Sequence, residues 1–308
     1  MKKYLKYCLY FVLPILIVAI PLEYMARQVP NPYKYKFDWM QKNAENVEVL
    51  IFGSSHTFYG IRPDYISGTA FNLANASQDI ELDYYLLQNW ADRYKKLKTV
   101  ICPISFSTWF GKGLEYGSES YRCRYYKIYM KCDLYSDFSL NNLEVSNLRT
   151  ALGKIEKMFT SKGVTGYDEY GWGKAYLLSN KDVAKWNDGT EAEAAVKRHT
   201  HNNWDYIENN YAMMKKIAEF CKRRNIQFVL VTTPCWHSYY NKLNDTQLNK
   251  MYELTHKIQN EYNNISYLDY LKDSRFEADD FYDSNHLSDI GSIKFTKILN
   301  KDIQSLHK

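Results

Sequence analysis

Two short motifs near opposite ends of the chain carry residue types that could perform acyl transfer. Ser55 follows an apolar run and a Gly53-Ser54 turn, and Asp283 stands three residues before His286. A serine hydroxyl becomes a useful nucleophile when an imidazole lies within hydrogen-bonding reach and a carboxylate fixes the tautomer of that imidazole. We therefore predict Ser55, Asp283 and His286 as nucleophile, acid and base, although either motif alone is also typical of an ordinary turn.

A third segment supplies a candidate donor for a developing oxyanion. Residues 71–79 (FNLANASQD) have the pattern of a short strand that runs into a polar loop. The backbone N–H of Ser77 in that loop could join the N–H of Ser55 to bind an oxyanion. An ordinary loop between a strand and a helix is the alternative interpretation.

The elements that must position these motifs alternate between short apolar runs and amphipathic stretches. Such alternation predicts an α/β fold with a parallel sheet, whose strands end at one shared edge where active residues collect. The predicted strands are 47–52, 70–73, 100–104, 226–231 and 265–268, and the predicted helices are 80–94, 204–224, 246–262 and 289–306, the last with Ser288 as N-cap.

The chain is predicted to have three parts. Residues 1–25 form a membrane anchor, residues 26–46 form a linker and lead-in, and residues 47–308 form one domain. Within that domain the alternation fades at about 105–203, where nine of the 13 glycines occur. We interpret this stretch as an elaborated insertion on the side of the strand ends.

The net charge of +5 belongs to the N-terminal region, because residues 1–36 contain six basic side chains and one acidic one. The remainder is neutral, which argues against a nucleic-acid partner. Residues 7–22 (YCLYFVLPILIVAIPL) carry no charge and follow Lys2, Lys3 and Lys6. This pattern predicts a single-pass anchor in the cytoplasmic membrane with the domain on its outer side. A cleavable signal peptide is the competing interpretation, but no small-x-small cleavage site is present.

The three motifs, in this chain order, resemble the SGNH (GDSL-like) hydrolase family. Its Gly-Asp-Ser block is matched by Gly53-Ser54-Ser55, and its Asp-x-x-His block is matched by Asp283 and His286. The glycine donor of its second block falls on Ser77. The resemblance covers residues 47–110 and 204–306.

One block of the family is not recognisable. Where the family has Gly-x-Asn-Asp, residues 103–108 read PISFST, so that Ser105 or Ser107 would have to replace the asparagine. Loss of such a side-chain donor costs about 3 to 4 kcal/mol of transition-state stabilisation. The missing asparagine motivates the alternative of a non-catalytic glycan-binding or assembly subunit.

The resemblance implies a three-layer flavodoxin-like sheet and a serine esterase or O-acyltransferase without a cofactor or a metal. The anchor and the Gly-Ser-Ser block are similar to those of extracytoplasmic members such as the teichoic-acid D-alanylation and alginate O-acetylation proteins. Such proteins modify exported or cell-surface polysaccharides with a small acyl group. They typically act beside a membrane-bound O-acyltransferase, which is the implied partner.

Several further residues are candidates with weaker support. His56 could contact the acyl group, and Arg122, Arg124, Tyr125 and Tyr126 combine cations with rings suited to sugars. Packing explains this cluster nearly as well. His199-x-His201 has a metal-like spacing but lacks a third ligand in register. Cys102 and Cys221 are predicted to be buried thiols, and Cys123 with Cys132 is the local pair that would be tested for a bridge.

Overall fold

The centre of the fold is a parallel sheet of five short strands. The computed structural model describes residues 2–135, 142–160 and 166–306. The strand order is β2-β1-β3-β4-β5, and each neighbouring pair is parallel. This is the predicted α/β class with a flavodoxin-like order. The strands are β1 (Val49–Ile51), β2 (Ala70–Asn72), β3 (Thr99–Pro103), β4 (Gln227–Thr232) and β5 (Ile265–Asp269).

The sheet is covered on both faces. Successive side chains of a strand point to opposite faces, and every residue of β1 and β3 is buried. Ile51 and Ile101 belong to one core cluster that also contains Phe295 and Leu299 from the last helix. Their neighbours Leu50 and Val100 on the other face are fully buried as well. Strands buried on both sides explain why these segments are continuous apolar runs.

Twelve helices are present in the described part of the chain. They are α1 (Lys2–Gln28), α2 (Pro32–Asn43), α3 (Ser55–Gly60), α4 (Ile80–Asn89), α5 (Cys123–Met130), α6 (Leu148–Thr160), α7 (Val183–Asp188), α8 (Thr190–His199), α9 (Ile207–Arg223), α10 (His237–Tyr240), α11 (Asp245–Glu261) and α12 (Asp289–Leu306). A two-stranded antiparallel hairpin of β6 (Phe281–Asp283) and β7 (His286–Leu287) precedes α12.

Helix boundaries follow the predicted ones closely with one exception. Ser288 caps α12, because its Oγ accepts the Gly291 N–H at 3.1 Å. Helix α4 ends at Asn89 and not near residue 94, since Trp90 leaves helical geometry (φ −120°, ψ 20°). The Trp90 ring is 2% exposed, so its burial sets the turn that follows.

The chain divides into two compact units. The helical unit comprises Met1–Phe37 with Ser120–Thr165, and the sheet unit comprises Asp38–Glu119 with Gly166–Lys308. The predicted insertion is therefore shared between the two units. Within the predicted linker, residues from Pro32 onward form helix α2.

Helix α1 is long and apolar enough to cross a membrane, and its apolar stretch is exposed. Both a membrane anchor and a signal sequence have this form. Its C-terminal end packs in the helical unit, where Ala26 contacts Ala151 and Ile155 of α6. The Glu23 carboxylate of α1 accepts the Val145 N–H at 2.9 Å, which ties the turn before α6 to α1.

Candidate active site

Ser55 is the first residue of α3 and follows a tight turn at the carboxyl end of β1. Gly53 in that turn has φ +106°, and a β-carbon there would overlap the Pro103 ring, so the turn requires glycine. The Thr57 hydroxyl donates to the Phe52 carbonyl at 2.7 Å and ties the first turn of α3 back to the strand. The local sequence thus holds Ser55 at the strand-end edge of the sheet.

The hairpin before α12 presents Asp283 and His286 side by side. Their backbones pair with each other in the antiparallel hairpin, and both Asp283 carboxylate oxygens lie 2.9 Å from His286 Nδ1. The backbone N–H groups of Asn285 and His286 also donate to Asp283 Oδ1, at 3.0 and 2.8 Å. Burial of the Asp283 carboxyl opposes its ionisation, but the His286 imidazole and these N–H donors hold its pKa below the usual value. The carboxylate is therefore ionised and oriented toward the imidazole.

Tertiary folding brings the two motifs together. The Ser55 Oγ lies 2.8 Å from His286 Nε2, although 231 residues separate them in the chain. The three side chains form one continuous chain of hydrogen bonds from hydroxyl to imidazole to carboxylate. This is the geometry that generates a serine nucleophile.

Ser77 lines the same cleft as Ser55. Its backbone lies in the left-handed region with φ +60°, which is uncommon for serine. The Ser77 hydroxyl donates to the Glu119 carboxylate, so the side chain is turned to that carboxylate. Among the described residues, none accepts a hydrogen bond from the Ser77 N–H. That N–H is accordingly available to a ligand in the cleft.

Asp83 on α4 forms hydrogen bonds to both the turn before Ser55 and the loop that contains Ser77. Its buried carboxylate accepts the Gly53 N–H at 3.0 Å and the Gln78 amide at 2.6 Å. The Gly53 carbonyl in turn accepts the Asn75 N–H at 3.1 Å. Burial raises the pKa of Asp83 to about 7, because water no longer solvates the charge and the hydrogen bonds compensate only in part.

This buried carboxyl predicts a pH-dependent stability. The folded-state pKa of Asp83 exceeds the unfolded value, so its contribution is complete below about pH 4 and is lost as the pH rises through 7. Asp83→Asn keeps the acceptor without the charge. Relative to the wild type, the free energy of unfolding of this variant should rise between pH 5 and pH 8, by at most about 3 kcal/mol. Urea unfolding at the two pH values measures this difference. The exposed Asp92→Asn provides the control, and an equal offset of Asp83→Asn from wild type at both pH values would contradict the prediction.

Two further histidines, His56 and His199, lie near His286. The His56 ring stacks on the His286 ring with centroids 4.8 Å apart, and His56 Nε2 lies 3.2 Å from the Asn285 amide. His199 Nδ1 lies 2.7 Å from the Tyr239 hydroxyl. Burial, with the nearby His286, lowers the pKa of His56 well below its usual value and that of His199 to about 4. Both imidazoles are therefore neutral at pH 7 and act as hydrogen-bonding groups.

The cleft beside Ser55 has a volume of about 440 Å³ and a lining of mixed polar and apolar surface. It brings together the predicted residues Ser55, Ser77, His56, Ser105 and Ser107. The Ser105 hydroxyl lies 3.0 Å from the Thr108 hydroxyl, so this segment presents hydroxyl groups to the cleft. The cleft is also lined by the charged side chains Lys112 and Arg198.

Three residues near Ser55, Asp283 and His286 were not predicted from the sequence motifs. Tyr176 packs against His286 edge-on with ring centroids 4.9 Å apart, and it stacks on Tyr282 at 4.4 Å. Glu191 accepts both the N–H of Ser284 at 3.0 Å and its hydroxyl at 2.8 Å. Tyr282 is adjacent to Asp283 and could have been found from that position. Tyr176 and Glu191 come from the region without alternation, where no spacing indicates them.

The remaining predicted substrate residues lie in the helical unit. Arg124 donates to the hydroxyls of Ser146 and Tyr125 at 3.3 and 3.1 Å. Arg122 lies 3.4 Å from the Tyr33 hydroxyl, and Tyr126 is fully buried beside the Tyr33 ring. Contacts within this unit thus engage all of them, and their role toward a substrate stays a prediction.

Histidines and cysteines were also candidates for metal or redox chemistry. Within the described ranges no group of three or more His, Cys, Asp or Glu side chains is arranged to hold a metal ion. Cys102 and Cys221 are buried thiols, as predicted. The described part of the chain shows no disulfide between Cys123 and Cys132.

The chain has distant likenesses among solved structures. No protein-family model matches the chain, and no curated protein matches it by sequence. A solved structure from Streptococcus pneumonia, provisionally described as a platelet activating factor, aligns over 95% of this chain and 98% of its own. The identity is 11% and the TM-score is 0.44. Since so distant a likeness carries no information on chemistry, the function must be argued from the side chains of the site.

Proposed function

We propose that the protein is an extracytoplasmic, membrane-anchored serine acyl-ester enzyme. The observation that carries this proposal is the continuous chain from Ser55 Oγ through His286 to the Asp283 carboxylate, at 2.8 and 2.9 Å. Ser55 is the nucleophile, His286 is the general base and acid, and Asp283 orients the imidazole.

In the first half-reaction, Ser55 Oγ attacks the carbonyl carbon of an acyl ester while His286 Nε2 takes the hydroxyl proton. The carbonyl oxygen becomes an oxyanion, which the N–H groups of Ser55 and Ser77 stabilise. The intermediate then collapses. The bond to the leaving alkoxide breaks, His286 returns the proton to that oxygen, and an acyl ester remains on Ser55.

In the second half-reaction, an acceptor hydroxyl enters the cleft. His286 Nε2 removes its proton as its oxygen attacks the acyl carbon, and collapse of the second intermediate returns the proton to Ser55. A glycan hydroxyl as acceptor gives O-acylation, and water gives hydrolysis. The cleft of about 440 Å³ suits a small acyl group such as acetyl together with part of a sugar.

The proposed location rests on α1. Lys2, Lys3 and Lys6 precede its exposed apolar stretch, which favours an uncleaved anchor with the N-terminus in the cytoplasm. An active site held outside that membrane has exported and cell-surface polysaccharides as accessible acceptors. A membrane-bound O-acyltransferase would be a suitable source of the acyl group.

A fluorophosphonate probe tests the central claim. The probe reacts with a serine whose hydroxyl is activated by a neighbouring base, so mass spectrometry should find one adduct, on the peptide that contains Ser55. Ser55→Ala should remove the adduct. A folded wild-type protein that stays unlabelled under conditions that label a control esterase would refute the enzyme and would favour the non-catalytic subunit. The lack of an asparagine in residues 103–108 is the observation behind that second candidate.

Glu191 is expected to position the β6–β7 hairpin, which carries Asp283 and His286. Glu191→Gln replaces one of the two acceptor oxygens that hold Ser284 with a donor, and hydrogen bonds to a charged group contribute about 1.5 to 3 kcal/mol. We expect kcat for an aryl acetate to fall by about 10- to 100-fold with little change in KM. Glu193→Gln on the same helix serves as the control, because Glu193 is exposed and pairs with Lys242. Equal kcat values for the two variants would show that Glu191 does not position the hairpin.

A further inference from the structure

Helix α6 has an apolar face wider than the described residues of the helical unit cover. At about 100° per residue, Ala151, Ile155, Leu148, Phe159 and Leu152 fall within one arc about 100° wide. Ala151 and Ile155, on one side of the arc, are buried against α1. On the other side Leu148, Leu152 and Phe159 are 51%, 46% and 71% exposed. Half of the apolar face is therefore open to the surroundings of the helical unit.

The open half is continuous with the exposed surface of α1. A groove of about 470 Å³ is lined by Leu148 of α6, by Val145 in the turn before α6, and by side chains of α1, and its lining is almost wholly apolar. The α1 residues in the groove are Pro14, Ile15, Val18, Ala19 and Leu22. Whatever covers these side chains of α1 therefore also reaches Leu148.

The level of this groove along α1 corresponds to the edge of a bilayer. Twenty residues of helix cover about 30 Å, the thickness of the hydrocarbon layer, so Tyr4 to Glu23 suffices to cross it. Val18 and Leu22 then lie in the last part of the layer. The charged pair of Glu23 and Arg27, with 2.6 Å between carboxylate and guanidinium, marks the polar boundary. Leu148 consequently lies where the hydrocarbon layer meets the headgroups.

The charges of α6 fit the same surroundings. Arg149 and Lys157 are exposed on the polar side of the helix, and Glu156 is the one acidic residue among positions 148–160. An excess of basic side chains beside an exposed apolar edge is typical of helices that lie in the interface of an anionic membrane.

From this geometry we propose that α6 is an interfacial helix that buries Leu148, Leu152 and Phe159 in the lipid leaflet beside α1. The inference rests on the proposed role of α1 as a membrane anchor and is independent of the chemistry at Ser55. The chain would thus be held by one spanning helix and one helix that lies in the outer leaflet.

Site-directed fluorescence in bilayers tests this proposal on the full chain. The background carries Cys8→Ser and Cys123→Ser, and the protein is placed in nanodiscs of phosphatidylcholine and phosphatidylglycerol. An environment-sensitive dye is attached to Leu152→Cys or, as the matched control, to Lys157→Cys, about 140° away on the same helix. The dye at residue 152 should emit at shorter wavelength and be quenched by spin-labelled lipid, whereas the dye at residue 157 should behave as in water.

Each alternative outcome is distinguishable. Equal, water-like emission from both sites would overturn the interfacial position of α6. Blue-shifted emission at residue 152 without quenching by lipid would also overturn it and would indicate a protein partner or a second copy. Alkaline carbonate extraction tests α1 separately, because a chain released from membranes lacks the anchor itself. A missing acyl adduct on Ser55 would refute the proposed enzyme and leave the lipid result intact.

Discussion

Ser55→Ala should lower kcat/KM for ester turnover by about 10⁵- to 10⁶-fold, the effect seen when the nucleophile of a serine triad is removed. The reason is that the acyl group loses its covalent acceptor, and the proton abstracted by His286 loses its donor at 2.8 Å. Release of 4-nitrophenol from an aryl acetate by the full-length protein in detergent measures this loss.

Ser54→Ala is the matched control for that measurement. Ser54 precedes the nucleophile in the same turn, and its Oγ lies 3.4 Å from His56 Nδ1, outside the triad. We expect this variant to retain most of the wild-type kcat/KM. Similar rates for Ser54→Ala and Ser55→Ala would contradict the assignment of Ser55 as nucleophile.

Asp283→Asn should lower kcat by about 10⁴-fold without unfolding the protein. The wild-type carboxylate accepts a hydrogen from His286 Nδ1, which leaves Nε2 free to take the proton of Ser55. An asparagine amide offers a donor in its place, so the imidazole is stabilised in the opposite tautomer. The variant also loses the charge that stabilises the imidazolium formed in each half-reaction.

The exposed carboxylate of Asp279 provides a comparison for that variant. Asp279 lies four residues before Asp283, and Asp279→Asn should leave kcat within a few-fold of the wild type.

The pH dependence of stability gives a second readout. The pKa of Asp283 is lowered in the folded protein, so its contribution is complete above the unfolded pKa and is lost as the pH falls through the folded value. As the pH falls, the free energy of unfolding of Asp283→Asn should therefore decrease less than that of the wild type. An acid unfolding transition equal to that of the wild type would contradict this prediction.

Local sequence patterns were sufficient for the sheet and its helices. The strands β1 to β5 all overlap the predicted apolar runs. The fully buried strands β1 and β3 are largely apolar because side chains on both of their faces lie in the core, whereas β5 is only partly buried and includes Ser266 and Asp269. Gly53 and Ser55 come shortly after one such run, and Ser77 lies in the loop that follows another. Since parallel strands end at a common edge, their convergence near one cleft could be inferred without coordinates.

The region 105–203 could not be inferred in the same way. Helix α6 packs against α1, and Tyr126 of α5 packs against Tyr33 of α2, so both helices contact segments that are distant in the chain. Which helix they pack against depends on long-range burial of residues such as Ala26 and Ile155, and no local period encodes that choice. No local pattern predicts the two compact units for this reason.

The sequence by itself determined the fold class, the apolar N-terminal helix and the identities of Ser55, Asp283 and His286 as candidates, because these depend on composition and on contacts between near neighbours. Only the tertiary structure decided that Ser55 Oγ and His286 Nε2 lie 2.8 Å apart. It likewise brought in Asp83, Glu191 and Tyr176, whose positions depend on burial across distant segments. Hydrogen bonds between residues so far apart form only when packing fixes both partners, and one sequence read alone carries no record of that packing.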